Sequence, residues 1–176
     1  MRLKITIFIL AGFLSSFIMT QASDKVKWFS FEEAVQLATM SPRKILVDIY
    51  TDWCGFCKQM DAVTFKNPQV AKYINEHYYP VKFNSETNDT IYFQGHMFVN
   101  DGEGRRSAHQ LSIALLQGQM SYPSVVYIDE EFALLTSVPG FRKPDQIEPI
   151  LRFFAEDHYK TKTWDEFMSN FAGTFK

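Results

Sequence analysis

The chain has 176 residues, 46% hydrophobic and 16% aromatic, enough apolar volume for a full single-domain core that needs no disulfide staples. Its 18 basic and 20 acidic residues give a net charge of −2 with the basic ones scattered, so nothing calls for a nucleic-acid partner. Two cysteines in the whole chain exclude a disulfide-dense scaffold.

Arg2 and Lys4 precede a mostly apolar run from Ile5 to Met19, and Thr20-Gln21-Ala22 then offers small residues of the kind a signal peptidase reads. The run spans 15 residues, short of the ~20 that a membrane-crossing helix needs. Residues 1–22 therefore read as a signal peptide cleaved near Ala22, with an uncleaved anchor as the alternative. Its removal takes two basic residues and no acid, leaving a single domain, 23–176, with 16 basic against 20 acidic residues and a net charge of −4. Export, to a periplasm or beyond, would put both cysteines where disulfides persist.

Ser30-Phe-Glu-Glu33 has the capping-box pattern and predicts a helix over about 30–40, ended by Ser41-Pro42. Lys44–Tyr50 is a nearly continuous apolar and β-branched run, the pattern of a central strand buried on both faces. Cys54–Thr64 reads as a helix, Asn67-Pro68 starts another toward Tyr78, and Tyr79–Asn84 is a second strand. Between residues 85 and 106 glycines interrupt an aromatic patch at 91–99, and the segment reads as an insertion. Ser107–Gln117 regains helical spacing, with Gly118 as its stop. Pro123–Asp129 and Phe132–Val138 predict a hairpin. A helix over about 144–158 follows, in which Pro149 predicts a late start or a kink, and Thr163-Trp-Asp-Glu166 caps a last helix over about 163–171. Helices alternating with buried strands argue for an α/β sandwich around a central mixed sheet.

Both cysteines lie in Trp53-Cys-Gly-Phe-Cys57, at a strand-to-helix turn. Positions i and i+3 of a helix share a face with Cβ atoms about 5–6 Å apart, so a small relaxation permits a disulfide. As a structural staple the bridge would close a loop of four residues, worth roughly 2 kcal/mol on the chain-entropy model. As a redox couple the pair is better placed. Cys54 would sit at the helix start, where free N–H groups stabilise a thiolate, and a thiol of low pKa is also a good leaving group when Cys57 attacks. Zinc would need two more ligands, and His77, His96, His109 and His158 lack paired spacing, while Lys58 stands where covalent haem needs a histidine. The reading is no metal and no cofactor. Asp48 is a carboxylate within an otherwise apolar strand: buried, its pKa would rise to suit a base for Cys57, whereas a strand-end Asp turned to solvent would do nothing. Trp53 reads as substrate surface or core, and Lys82, from its strand alone, as an edge-strand guard against aggregation.

Val47-Asp-Ile-Tyr-Thr-Asp-Trp-Cys-Gly-Phe-Cys-Lys58 resembles the active-site strand and turn of the thioredoxin superfamily. Its continuation through Thr64-Phe65 and Pro68-Gln-Val70 resembles the exported, periplasmic branch, including the C-terminal domain of the membrane disulfide-reductase hub. The likeness covers about residues 31–154, with 85–106 unmatched. It implies a redox-active disulfide Cys54–Cys57 and catalytic roles for Asp48 and Lys82, the family's buried acid and its lysine. It also implies a substrate surface of Trp53, Gly55, Phe56, Tyr122 and Pro123, with Tyr122-Pro123 as the cis-proline step and Gly140 close by. Protein thiols and disulfides would be the partners, a membrane-bound reductase the electron donor, and reduction the direction favoured over oxidation. The chain departs from the family in Gly55-Phe56, where the second position is commonly proline, and in Ala62, which replaces a helix proline. The expectation is therefore an exported thiol-disulfide oxidoreductase, against a non-catalytic thioredoxin-fold binding or assembly module with a static disulfide, and against a peroxidase.

Overall fold

In the computed structural model, which describes residues 25–176, Ser30 forms a reciprocal capping box with Glu33. The Ser30 Oγ accepts the Glu33 N–H at 3.1 Å, and the Glu33 carboxylate accepts the Ser30 N–H at 2.8 Å. Helix α1 (Phe31–Met40) starts there and buries Phe31, Ala34 and Ala38. The signal-peptide reading of residues 1–22 lies outside the described residues. Among those described, no helix is long and apolar enough to cross a membrane.

Strand β1 (Ile45–Tyr50) leads into helix α2 (Gly55–Met60), which widens into one π turn at Asp61–Phe65 before α3 (Pro68–His77) and β2 (Tyr79–Asn84). The helix expected over 54–64 is thus a short α-helix with a π turn at its end. Asn67 caps α3, its Oδ1 accepting the N–H groups of Gln69 and Val70, and Pro68 supplies the fixed φ suited to the first helical position.

The insertion holds a small hairpin, β3 (Ile91–Phe93) and β4 (His96–Phe98), joined through Gln94 and Gly95, both at positive φ. Helix α4 (Gln110–Leu115) starts three residues later than the pattern indicated, because His109 takes the capping position and accepts the Leu111 N–H on Nδ1. Strands β5 (Ser124–Ile128) and β6 (Leu134–Pro139) form the expected hairpin. Helix α5 (Pro144–Ala155) begins at Pro144 and runs through Pro149, so the late start does not occur. Pro144 needs no N–H at the first position, and Pro149 forfeits only one bond in the turn above it. A 3₁₀ turn at His158–Lys160 and α6 (Trp164–Ser169), capped by Thr163, complete the chain.

The main sheet has the order β2-β1-β5-β6, with β1 and β2 parallel and the other pairs antiparallel. It is mixed and flanked by helices, the architecture expected from the sequence. Alternation along β1 divides the core: Ile45, Val47 and Ile49 pack with α1, α4 and β2 residues such as Phe31, Leu111 and Val81. Leu46 faces the other way, onto Met60, Val70, Ile74, Ile147 and Leu151 from α2, α3 and α5. By the same two-residue period Asp48 and Tyr50 lie on this second face, beneath the helix that carries the cysteines.

Candidate active site

The turn after β1 is closed by the Cys54 N–H, which donates to the Thr51 carbonyl at 3.2 Å. Cys54 then caps α2, and its Sγ accepts the backbone N–H of Cys57 at 3.0 Å. The start of the helix thereby presents a backbone donor to the first sulfur. The two sulfurs are joined, with 5.3 Å between the Cα atoms. Both cysteines are buried, Cys54 at 5% and Cys57 at 2% exposure, whereas the nearby Trp53 and Phe56 are 50% and 64% exposed.

Beneath α2, Asp48 is buried, and its carboxylate meets Lys82 Nζ at 2.5 Å. Asp48 and Lys82 are matched residues of the parallel β1–β2 pair, so the register itself sets the contact. Lys82 also pairs with Asp61 from the π turn, and the rings of Tyr50, Trp28 and Phe65 lie 4.8, 5.3 and 5.5 Å from its Nζ. Burial pushes the Asp48 pKa up to about 6, against the downward pull of Lys82. Burial draws the Lys82 ammonium downward, but Asp48 and Asp61 outweigh it and leave its pKa above the ordinary value. The second carboxylate oxygen of Asp48, Oδ1, is buried without a hydrogen-bond partner. Beside the Lys82–Asp61 pair opens a cleft of about 460 Å³, lined among others by Val26, Trp28, Phe65 and Lys66.

The Tyr122–Pro123 peptide bond is cis. Tyr122 packs edge-on against Trp53, with ring centroids 6.1 Å apart, and its hydroxyl is 2.7 Å from the Ser85 hydroxyl. Gly140, at φ +90, donates its N–H to the Pro123 carbonyl at 2.7 Å, a conformation that favours glycine. A Cβ on Gly55 would meet nothing within 4 Å, so that position opens onto free space.

The structure thus gathers Cys54, Cys57, Trp53, Gly55 and Phe56 at one helix start, with Tyr122 against Trp53, and joins Asp48 to Lys82 beneath the same helix. Reading the residues one by one missed Asp61. Its signal was spacing: four residues after Cys57 it falls on the same helix face as that cysteine. Also missed were Glu86 and Arg106, both of which contact Trp53. Among the described residues no cluster of three or more His, Cys, Asp or Glu side chains is placed to hold a metal ion.

The family model described as Thioredox_DsbH, a protein of unknown function (DUF255), matches residues 9–168. Among curated proteins the chain is 25% identical over 103 residues to the thiol:disulfide interchange protein DsbD of Photorhabdus laumondii, covering 58% of this chain and 15% of that protein. It is 44% identical over 39 residues to the DsbD of Ralstonia nicotianae, covering 22% of this chain and 6% of that protein. The chain spans only a small part of the length of these relatives. Among solved structures, a DsbH oxidoreductase aligns with a TM-score of 0.55 at 16% identity, covering 77% of this chain and 88% of its own. A putative disulphide isomerase from Bacteroides thetaiotaomicron aligns with a TM-score of 0.54 at 22% identity, covering 80% and 98%. These likenesses show a thioredoxin-like fold.

Proposed function

Because this chain belongs to the Thioredox_DsbH family, we propose that it is an exported thiol-disulfide oxidoreductase acting on protein disulfides through Cys54 and Cys57. One observation carries the reading: Cys54 caps α2 and accepts the Cys57 N–H, above a buried Asp48 paired with the part-exposed Lys82. In the reducing direction the Cys54 thiolate attacks one sulfur of a substrate disulfide. A Cys54–substrate bond forms, the substrate S–S bond breaks, and the departing thiolate takes a proton from solvent. Asp48, as carboxylate, accepts the proton of Cys57, whose thiolate then attacks the Cys54 sulfur. The Cys54–Cys57 disulfide closes and the second substrate thiolate leaves, so two electrons pass from the pair to the substrate.

Trp53, Gly55, Phe56, Tyr122 and Pro123 form the substrate surface, and Lys82 tunes Asp48. The oxidised pair is then reduced again by a dithiol donor outside the cytoplasm, a membrane-bound reductase. No metal or cofactor takes part in this scheme. The domain that begins near residue 23 is exported, with residues 1–22 removed.

Insulin reduction by dithiothreitol tests the mechanism: Cys54→Ser should abolish catalysed turnover, and a variant as active as wild type would refute it. The near-burial of both sulfurs favours one rival, a binding module with a static disulfide. Titration in thiol redox buffers separates the two, since a structural bridge resists reduction down to below about −300 mV and an exchanging one does not.

A further inference from the structure

The segment over residues 85–106, read from the sequence as an insertion, folds back onto the exposed tryptophan of the active-site turn. Glu86 accepts the Trp53 indole N–H at 2.7 Å, and the Arg106 guanidinium lies 4.8 Å from the centre of the Trp53 ring. Tyr122 braces the same ring edge-on and is itself tied to Ser85. Three contacts therefore restrain a side chain that is still half exposed.

The two ends of the insertion are held in turn. The Ser85 N–H donates to the Tyr50 carbonyl at 2.8 Å, and the Glu86 N–H donates to the Asn84 side chain at 2.9 Å. The Asn100 amide donates to the carbonyls of Thr87 and Ser107, drawing the two arms together. The turn that carries Arg106 is tight: a Cβ on Gly102 would come within 2.3 Å of the Ser107 Cβ. Glycine there lets the turn close and sets Arg106 over the ring.

We propose that Glu86 and Arg106 are positioning residues that hold Trp53 as a preformed platform for polypeptide disulfides, so that the insertion sets a preference for protein over small-molecule disulfides. This rests on the redox reading above. An indole free to turn would have to be immobilised when a polypeptide docks, weakening binding by about two- to tenfold. A small disulfide that reaches the sulfur without touching the indole would meet no such penalty. The chemical step, which runs between the two sulfurs, is unchanged.

The test compares steady-state reduction of insulin and of oxidised glutathione by the wild-type protein and by Glu86→Ala, Glu86→Gln, Arg106→Ala and Gly102→Ala. Glu86→Ala and Arg106→Ala should each raise the KM for insulin by about two- to tenfold with kcat unchanged, and leave the rate with glutathione disulfide as it was. Glu86→Gln keeps an acceptor for the indole and should restore a KM near that of wild type. Gly102→Ala, which displaces the turn, should behave like Arg106→Ala. An active wild-type protein whose alanine variants show an unchanged KM, or equal losses toward both disulfides, overturns this inference alone. A wild-type protein inert toward both disulfides overturns the redox reading and this inference with it.

Discussion

Asp48 and Lys82 are matched residues of the parallel β1–β2 pair, and their side chains meet at 2.5 Å on the sheet face covered by α2. The lysine does not fully compensate for burial: the Asp48 pKa stands at about 6, against an ordinary value of 3.8. The carboxylate is therefore held where it can gain and lose a proton near neutral pH, a property that a fully neutralised ion pair lacks.

That burial carries a stability signature. Between about pH 4 and pH 6 the folded chain retains a proton that the unfolded chain has released. Stability should fall as pH rises through this window, by on the order of 3 kcal/mol. Asp48→Asn removes the penalty. Urea unfolding should find the variant nearly equal to wild type at pH 4 and more stable at pH 7.5, and a variant less stable at pH 7.5 contradicts the assignment.

The same group should shape the kinetics. If Asp48 takes the proton from Cys57, the rate at which the mixed disulfide resolves should climb through about pH 6 as the carboxylate ionises. Asp48→Asn should erase that limb and slow resolution by about a hundredfold. Single-turnover quenching of a Cys54-linked peptide across pH 5–8 reads both effects.

Lys82→Met keeps most of the side-chain volume and removes the cation. Because Lys82 draws the Asp48 pKa down, its loss should raise that pKa further and move the kinetic limb to higher pH. The ionised carboxylate would then be buried without its partner, and stability at pH 7.5 should drop by about 1–3 kcal/mol. Chemical denaturation measures the drop, and an unmoved limb argues against coupling between the two groups.

Far from the cysteines, Glu148 is buried and gathers the Thr174 and Phe175 N–H groups, the Thr174 hydroxyl and the Arg152 guanidinium. Burial raises its pKa, but these donors more than offset it and leave the pKa below the ordinary carboxylate value. Its contribution to stability is therefore present above the ordinary value and lost as pH falls through the lowered one. Glu148→Gln should cost about 2 kcal/mol at pH 7 and speed hydrogen exchange at the Phe175 amide.

Much of this was readable from local pattern. Tyr79–Asn84 and the Ser30 capping box fall where the sequence put them, because strand period and capping chemistry are set by neighbouring residues. Asp48 was legible because a carboxylate inside an apolar run has few places to go. The π turn was not, since α and π turns draw on the same side chains until packing selects one. The β3–β4 hairpin escaped because its strands are three residues each and its turn puts a glutamine at positive φ. The contacts of Glu86 and Arg106 with Trp53 join residues far apart in the chain, which no local window detects.

The cleft beside Lys82 and Asp61 shares none of its lining residues with the surface formed by Trp53, Phe56 and Tyr122. Asp48, Lys82 and the part-exposed Asp61 make a short hydrogen-bonded relay ending at that cleft. On the proposed reading, electrons cross at the sulfurs, while the carboxylate that takes the Cys57 proton is linked through Lys82 and Asp61 to a different face of the protein.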